Sequence, residues 1–203
     1  MDARLVGLSK RMSWLLRHGA REAGIAMDSE GCVAVARMLQ LKQFKGYSVK
    51  DVESVVENND KKRFAVFGSG KDLRIRAQQG HSQKVAQLVT DDNLLSPLTS
   101  APEVCVHGTY LRAWERIKPE GLNRMSRQHI HLTDLREQEG QNKISGFRSN
   151  CEVLIHVDVE KAMSNGCKFL QSGNGVILTE GFDGILPPQY FKAVTDKNGK
   201  PLP

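Results

Sequence analysis

Three kinds of residue in this sequence could handle an anion: arginines at marked places, histidines beside glycine or on short strands, and hydroxyl or amide residues at turns. Arg17 and His18 close the stretch LSKRMSWLLRHG, residues 8–19. Leu8, Met12, Leu15 and Leu16 recur at i, i+4, i+7 and i+8, which predicts an amphipathic helix. Ser9 would cap its start and Gly19 would close its end. A guanidinium and an imidazole then sit in the last turn, where the carbonyl end of the helix dipole favours cations. That pattern alone fits a capped surface helix; the further Arg and His residues along the chain favour a functional reading. Arg63 follows Asp60-Lys61-Lys62 and enters a predicted β-hairpin, residues 64–67 and 73–77 around Gly68-Ser69-Gly70. Arg74 and Arg76 share a face of its second strand, read as a solvated face.

In the second half, residues 103–106 read as a strand that delivers His107-Gly108-Thr109, and residues 110–117 as a helix stopped by Pro119. A strand–Gly–helix junction presents backbone N–H groups, a phosphate seat. Residues 127–132, RQHIHL, read as a strand that starts at Arg127. His129 and His131 are two apart and point to one face. With His107 they suggest a three-histidine metal site, but no carboxylate or cysteine completes the set, so no metal is expected. Arg148 lies in a polar loop, residues 144–148. Residues 153–159 and 168–170 read as strands. Ser172 and Asn174 lie in a turn, residues 171–175, before a strand over 176–179; Asn174-Gly175 between apolar runs is a hairpin signal.

The elements that must hold these groups fall into two halves. In the first, Ser48 and Asp51 have capping-box spacing ahead of a stripe of Val49, Val52, Val55 and Val56. Helices followed by a hairpin predict a winged-helix-like module. Residues 89–102 gather acidic, Ser, Thr and Pro residues, a linker signature. The expected division is a first lobe over 1–90, a linker over 91–102 and a second lobe over 103–203. The second lobe is mostly short strands with one or two helices, a small α+β or β-sandwich domain.

Composition narrows the partners. The net charge of +6 over 203 residues suits a polyanion, and a 39% hydrophobic, 26% charged chain reads as soluble and globular. Cys32, Cys105, Cys151 and Cys167 form no C-x-x-C pair, which argues against a zinc ribbon and for free thiols in a reducing compartment. The first apolar stripe is amphipathic, unlike a signal peptide. No apolar run approaches the roughly 18 residues of a membrane span.

Read together, LSKRMSWLLRHGA, NDKKRF, QGHS, VHGT, MSRQHIHL, ISGFRS and SGNGVILT resemble the RNA 2′-phosphotransferase family, the tRNA-splicing 2′-phosphotransferases. The resemblance covers nearly the whole chain and implies an α+β fold: an N-terminal winged-helix-like lobe and a C-terminal lobe similar to ADP-ribosyltransferases. It implies transfer of the 2′-phosphate at the splice junction of ligated tRNA to NAD. The products are a 2′-hydroxyl RNA, ADP-ribose 1″,2″-cyclic phosphate and nicotinamide, formed through a 2′-phospho-ADP-ribosylated RNA. The catalytic group falls on Arg17, His18, Arg63 and Arg127. The NAD positions fall on His107, Gly108, Thr109, His131, Arg148, Ser172 and Asn174. NAD is a co-substrate and no metal is expected; the protein is expected to be an intracellular monomer, cytoplasmic or nuclear, that meets 2′-phosphorylated tRNA and no membrane. The glutamate of other ADP-ribosyltransferases falls on Val176. Rival readings are an ADP-ribosyltransferase acting on protein or on nucleic-acid terminal phosphates, a winged-helix RNA-binding module without catalysis, and a metal-dependent phosphatase.

Overall fold

A computed structural model describes residues 2–90, 94–136 and 150–202. The chain divides between Leu94 and Leu95 into two compact units. Among the described residues no helix is long and apolar enough to cross a membrane.

The first unit opens with helix α1, Ala3–Trp14, which continues as a π-helical turn, Leu15–Gly19. The expected stripe is present: Leu8, Met12, Leu15 and Leu16 are all fully buried. The expected caps are not. Asp2, not Ser9, caps the start, its Oδ1 accepting the Leu5 N–H at 2.8 Å, so the helix begins well before the first core leucine. Nor does Gly19 close the helix as a left-handed residue; the chain goes on through Ala20 in right-handed helical geometry. Gly19 is glycine for another reason: a Cβ there would collide with the Trp14 ring, 2.7 Å from Cζ2 and nearer still to Cη2 and Cζ3.

Strand β1 (Val33–Ala34) leads into α2 (Val35–Leu39), and α3 (Val49–Glu57) starts at the expected capping box. Asp51 accepts the Ser48 N–H at 2.7 Å while Ser48 Oγ accepts the Asp51 N–H at 3.3 Å. Strands β2 (Phe64–Phe67) and β3 (Arg74–Ala77) form the hairpin, Phe64 opposite Ala77 and Phe67 opposite Arg74, with β1 on the far side of β3. Their connection is longer than the expected three-residue turn. Gly68, at φ +75°, folds back so closely on the Asp72 carbonyl that a Cβ would lie 2.7 Å from it, and a 3-10 turn over Gly70–Asp72 completes the link. A short helix α4, Gln83–Ala86, follows.

The second unit is built on a seven-stranded antiparallel sheet. In spatial order its strands are β12 (Phe191–Asp196), β8 (Val153–Val157), β5 (Cys105–Thr109), β7 (Ile130–Asp134), β10 (Val176–Thr179), β9 (Leu170–Ser172) and β4 (Leu95–Pro97). Two short strands, β6 (Leu122–Asn123) and β11 (Ile185–Leu186), pair separately. Leu132, Ile155, Ile177 and Leu122 fill its core with Trp114 of helix α5, Leu111–Glu120. A second helix, α6, spans Val159–Ser164.

Several elements differ from expectation. Residues 95–97, read as linker, form the edge strand β4 because an apolar Leu95 and a non-donating Pro97 suit a sheet edge. His107-Gly108-Thr109 belongs to β5 itself, Gly108 opposite Leu154 and Thr109 opposite Val153, and not to a loop before the helix. Pro119 lies inside the last turn of α5, and the helix ends two residues later at Gly121, φ +87°, where a Cβ would stand 2.5 Å from the Leu186 carbonyl oxygen. Arg127 precedes its strand, its N–H donating to the Arg124 carbonyl at 3.1 Å in a turn.

Candidate functional site

In the first unit the π-helical turn carries Arg17 and His18 between buried neighbours, Leu15 and Leu16 on one side and Gly19 on the other. One extra residue in a helical turn re-aims the side chains around it, and such turns recur at functional sites. His18 is exposed and Arg17 half-buried. The Arg17 carbonyl accepts the Ser82 N–H at 2.9 Å. Gly80, at φ +87°, passes so near the guanidinium that a Cβ would stand 3.4 Å from Arg17 Nε and 3.5 Å from Cζ.

Arg63 is tied to the same segment from its other end, its carbonyl accepting the Gln78 N–H at 2.9 Å. Its N–H and Nη1 are 3.4 and 3.5 Å from Oδ1 of the buried Asn59. Burial lowers the Arg63 pKa, opposed by the Asp60 charge; a guanidinium stays cationic under such a shift. Segment 78–82 therefore links the backbones of Arg17 and Arg63, with Gln79 and His81 buried between them. Sequence reasoning gave these middle residues no role. Gly80 was the available signal, since a glycine between polar residues marks a close approach or a positive φ.

The second unit places His107 on β5 and His131 on the adjacent β7, with His129 in the bend just before β7. The His107 Nδ1 lies 2.9 Å from the His131 carbonyl, and the His131 Nδ1 lies 3.1 Å from the His129 carbonyl. A carbonyl only accepts, so each Nδ1 carries the proton, and on neutral His107 the lone pair then sits on Nε2. Burial pushes the His107 pKa down, the His131 carbonyl opposes this, and the Arg127 charge adds to the lowering. That coupling brings Arg127, itself exposed, into the electrical neighbourhood of His107. One strand beyond β7, the β9–β10 turn holds Ser172 and Asn174. Ser172 Oγ donates to Asn174 Oδ1 at 2.7 Å and accepts the Val176 N–H at 3.1 Å, while Gly175 donates to the Ser172 carbonyl at 2.9 Å. Thr109 is buried at the end of β5. His107, Gly108, Thr109, His131 and Ser172 thus lie on strands of one sheet and Asn174 in the turn after β9, while Arg148 lies outside the described residues.

Among the described residues the three histidines form no metal-binding group; the one group of three candidate ligands is Asp28, Glu30 and Cys32. Asp28 Oδ1 already accepts the N–H groups of Glu30 and Cys32, at 3.0 and 2.8 Å, and Oδ2 pairs with Arg74 at 2.9 Å. Burial pushes the Cys32 thiol up to about 11, which keeps it protonated and a poor ligand. All four cysteines are free and buried.

The chain is similar to known proteins along nearly its whole length. A family model described as "RNA 2'-phosphotransferase, Tpt1 / KptA family" matches residues 3–181. A curated zebrafish (Danio rerio) protein named "tRNA 2'-phosphotransferase 1" is 44% identical over 209 residues, covering 100% of this chain and 89% of its own. The human (Homo sapiens) protein of that name is 44% identical over 194 residues, covering 92% and 74%. A "Probable RNA 2'-phosphotransferase" of Rhizobium johnstonii is 36% identical over 194 residues, covering 94% and 96%.

Proposed function

This chain belongs to the RNA 2′-phosphotransferase family, and we propose that it transfers the internal 2′-phosphate at the splice junction of ligated tRNA to NAD. The first unit is the winged-helix-like lobe that holds the phosphate, and the second is the ADP-ribosyltransferase-like lobe that holds NAD. The observation that carries this reading is the tie between Arg17 and Arg63 through segment 78–82, beside His18. Two guanidiniums and an imidazole in one small unit suit a phosphate monoester, which carries about −1.5 to −2 charge at neutral pH. The second-unit groups suit NAD: a neutral imidazole whose Nε2 accepts, with Thr109, Ser172 and Asn174 offering hydroxyl and amide partners for ribose hydroxyls.

In the first step a phosphate oxygen of the RNA attacks the anomeric carbon of the nicotinamide ribose, and the C–N bond breaks with its electron pair leaving on nicotinamide. In the second step the adjacent ribose 2″-hydroxyl attacks phosphorus, its proton passing to solvent, and the bond to the RNA 2′-oxygen breaks with its electron pair on that oxygen. Arg17, Arg63 and Arg127 stabilise the charge that grows on the phosphate oxygens. His18 gives a proton to the departing 2′-oxygen, a role within reach of an imidazole near neutral pH. No metal is required.

The test measures nicotinamide against dephosphorylated RNA with a 2′-phosphorylated oligonucleotide. We expect one nicotinamide per phosphate removed and ADP-ribose cyclic phosphate as co-product. Release of inorganic phosphate at full rate without NAD would overturn the reading.

A further inference from the structure

Helix α1 leaves one large aromatic ring at its surface. Trp14 is 40% exposed, although Met12, Leu15 and Leu16 around it are fully buried. Helical side chains ordinarily lean toward the N-terminus. The Trp14 ring instead reaches forward to Gly19, five residues on, where Cη2, Cζ3 and Cζ2 occupy the space of the missing Cβ. The π-helical turn sets those two positions against each other, and a residue other than glycine at 19 would push the ring away. The indole is therefore held over the same turn that carries Arg17 and His18, three and four residues beyond it in sequence. Trp14 ends α1 and its ring lies on Gly19, the residue that follows His18 in the π-helical turn, so the indole borders the segment that carries both side chains.

We propose that Trp14 is a stacking platform for a base of the RNA substrate at the nucleotide that bears the 2′-phosphate or its neighbour. An aromatic face beside cationic side chains is the composition that holds unpaired nucleotides, the ring taking the base and the cations the phosphates. The base and the 2′-oxygen of a ribonucleotide leave adjacent carbons of one ribose, so a phosphate held at Arg17 and His18 brings its own base, or the next one, to the side chain at position 14. The proposal rests on the reading that this unit receives an RNA 2′-phosphate.

The test uses short RNAs with one internal 2′-phosphate: one with all bases, one abasic at the phosphate-bearing nucleotide and one abasic at the next. Trp14→Leu keeps apolar cover over Gly19, and Trp14→Phe keeps a ring. On the complete RNA, Trp14→Leu is expected to raise KM for RNA about tenfold or more, from the loss of one stacked base. KM for NAD and kcat should stay put, and Trp14→Phe should recover most of the loss. On one of the abasic RNAs the unsubstituted protein should fall to the Trp14→Leu level, and the substitution should add nothing. In a Trp114→Phe background, where Trp14 is the remaining tryptophan, its fluorescence should be quenched by the complete RNA and not by that abasic RNA. Equal losses on all three RNAs, or unchanged fluorescence while filter retention shows RNA bound, would overturn the proposal, as would a fall in kcat that tracks a lowered Tm, the mark of mere cover for the Gly19 backbone. If the unsubstituted protein removes no 2′-phosphate, the parent reading fails, and the fluorescence arm still decides whether Trp14 meets a base.

Discussion

Gly80→Ala separates backbone strain from the handling of Arg17, because the fold contains its own control. Gly80 and Gly46 have the same φ, +87°, but a Cβ on Gly46 would meet nothing within 4 Å. On Gly80 it would touch Arg17 at 3.4 Å from Nε, 3.5 Å from Cζ and 3.6 Å from Cδ. An L-residue held in the left-handed region costs about 1–2 kcal/mol, so both variants should lose similar stability, a small part of the roughly 5–15 kcal/mol of a domain. Each kcal/mol lowers Tm by about 4–8 °C in a unit of this size. Activity should split the pair. The added methyl crowds the buried Nε edge of the guanidinium and so partly blocks the placement proposed for holding a phosphate. Complete loss of one preorganised donor costs about 10²–10³ in rate; a partial block should cost about tenfold. Single-turnover loss of the 2′-phosphate at saturating NAD is the assay, with Tm measured alongside. Gly80→Ala should be about tenfold slower than Gly46→Ala at matched Tm, and in an Arg17→Ala background it should cost nothing further. Equal rates for the two variants, or an undiminished cost without Arg17, would refute the reasoning.

Two further outcomes are expected. Attack on the anomeric carbon leaves the phosphate's own P–O bonds intact, whereas transesterification loads its oxygens with charge, so Arg63→Ala, Arg127→Ala and His18→Ala should slow the second step more than the first. RNA joined through its 2′-phosphate to ADP-ribose should accumulate as a larger species on a denaturing gel; substrate persisting with no larger species would place these residues at or before the first step. The other concerns pH. Burial lowers the His107 pKa below its ordinary 6.5, so the unfolded chain takes up a proton first as pH falls. The stability is present above about pH 6.5 and lost below it, and His107→Gln should flatten the difference between urea midpoints at pH 7.5 and 5.5. His156, lowered chiefly by burial, adds to the slope in the unsubstituted protein. An unchanged slope in His107→Gln would remove His107 from the account.

What was legible in the sequence was whatever depends on local chemistry. The leucines of α1, the capping box at Ser48 and the β2–β3 hairpin all follow from periodicity and side-chain-to-backbone bonds a few residues apart. What depends on distant partners was not. The extension of α1 back to Asp2 carries no strong stripe, and the π turn at Leu15–Gly19, with the Trp14 ring laid on Gly19, departs from any 3.6-residue pattern. The placement of His107-Gly108-Thr109 inside β5 depends on pairing with β8, a long way down the chain. Of the site, the residues stood out by type, but the tie between Arg17 and Arg63 runs through main-chain bonds to Gln78 and Ser82, and backbone contacts leave no mark on side-chain identity.

Val176 completes the physical argument for a phosphate as the attacking group. It is fully buried in β10 opposite Thr133, itself fully buried, and its N–H is held by Ser172 Oγ. A glutamate at this place would put a carboxylate in a dry sheet at a cost of several kcal/mol unless it were paired. Such a carboxylate repays its cost where an alcohol or an amide must be activated as nucleophile, because it takes up the proton. A phosphate monoester near neutral pH has already lost its proton, and a second anion beside it would repel it. Valine at this place adds no such charge, which agrees with the proposal that a phosphate attacks. A nucleophile that needs no base leaves, in the proposed mechanism, charge to be held by arginines and a proton to be delivered to the leaving oxygen by His18.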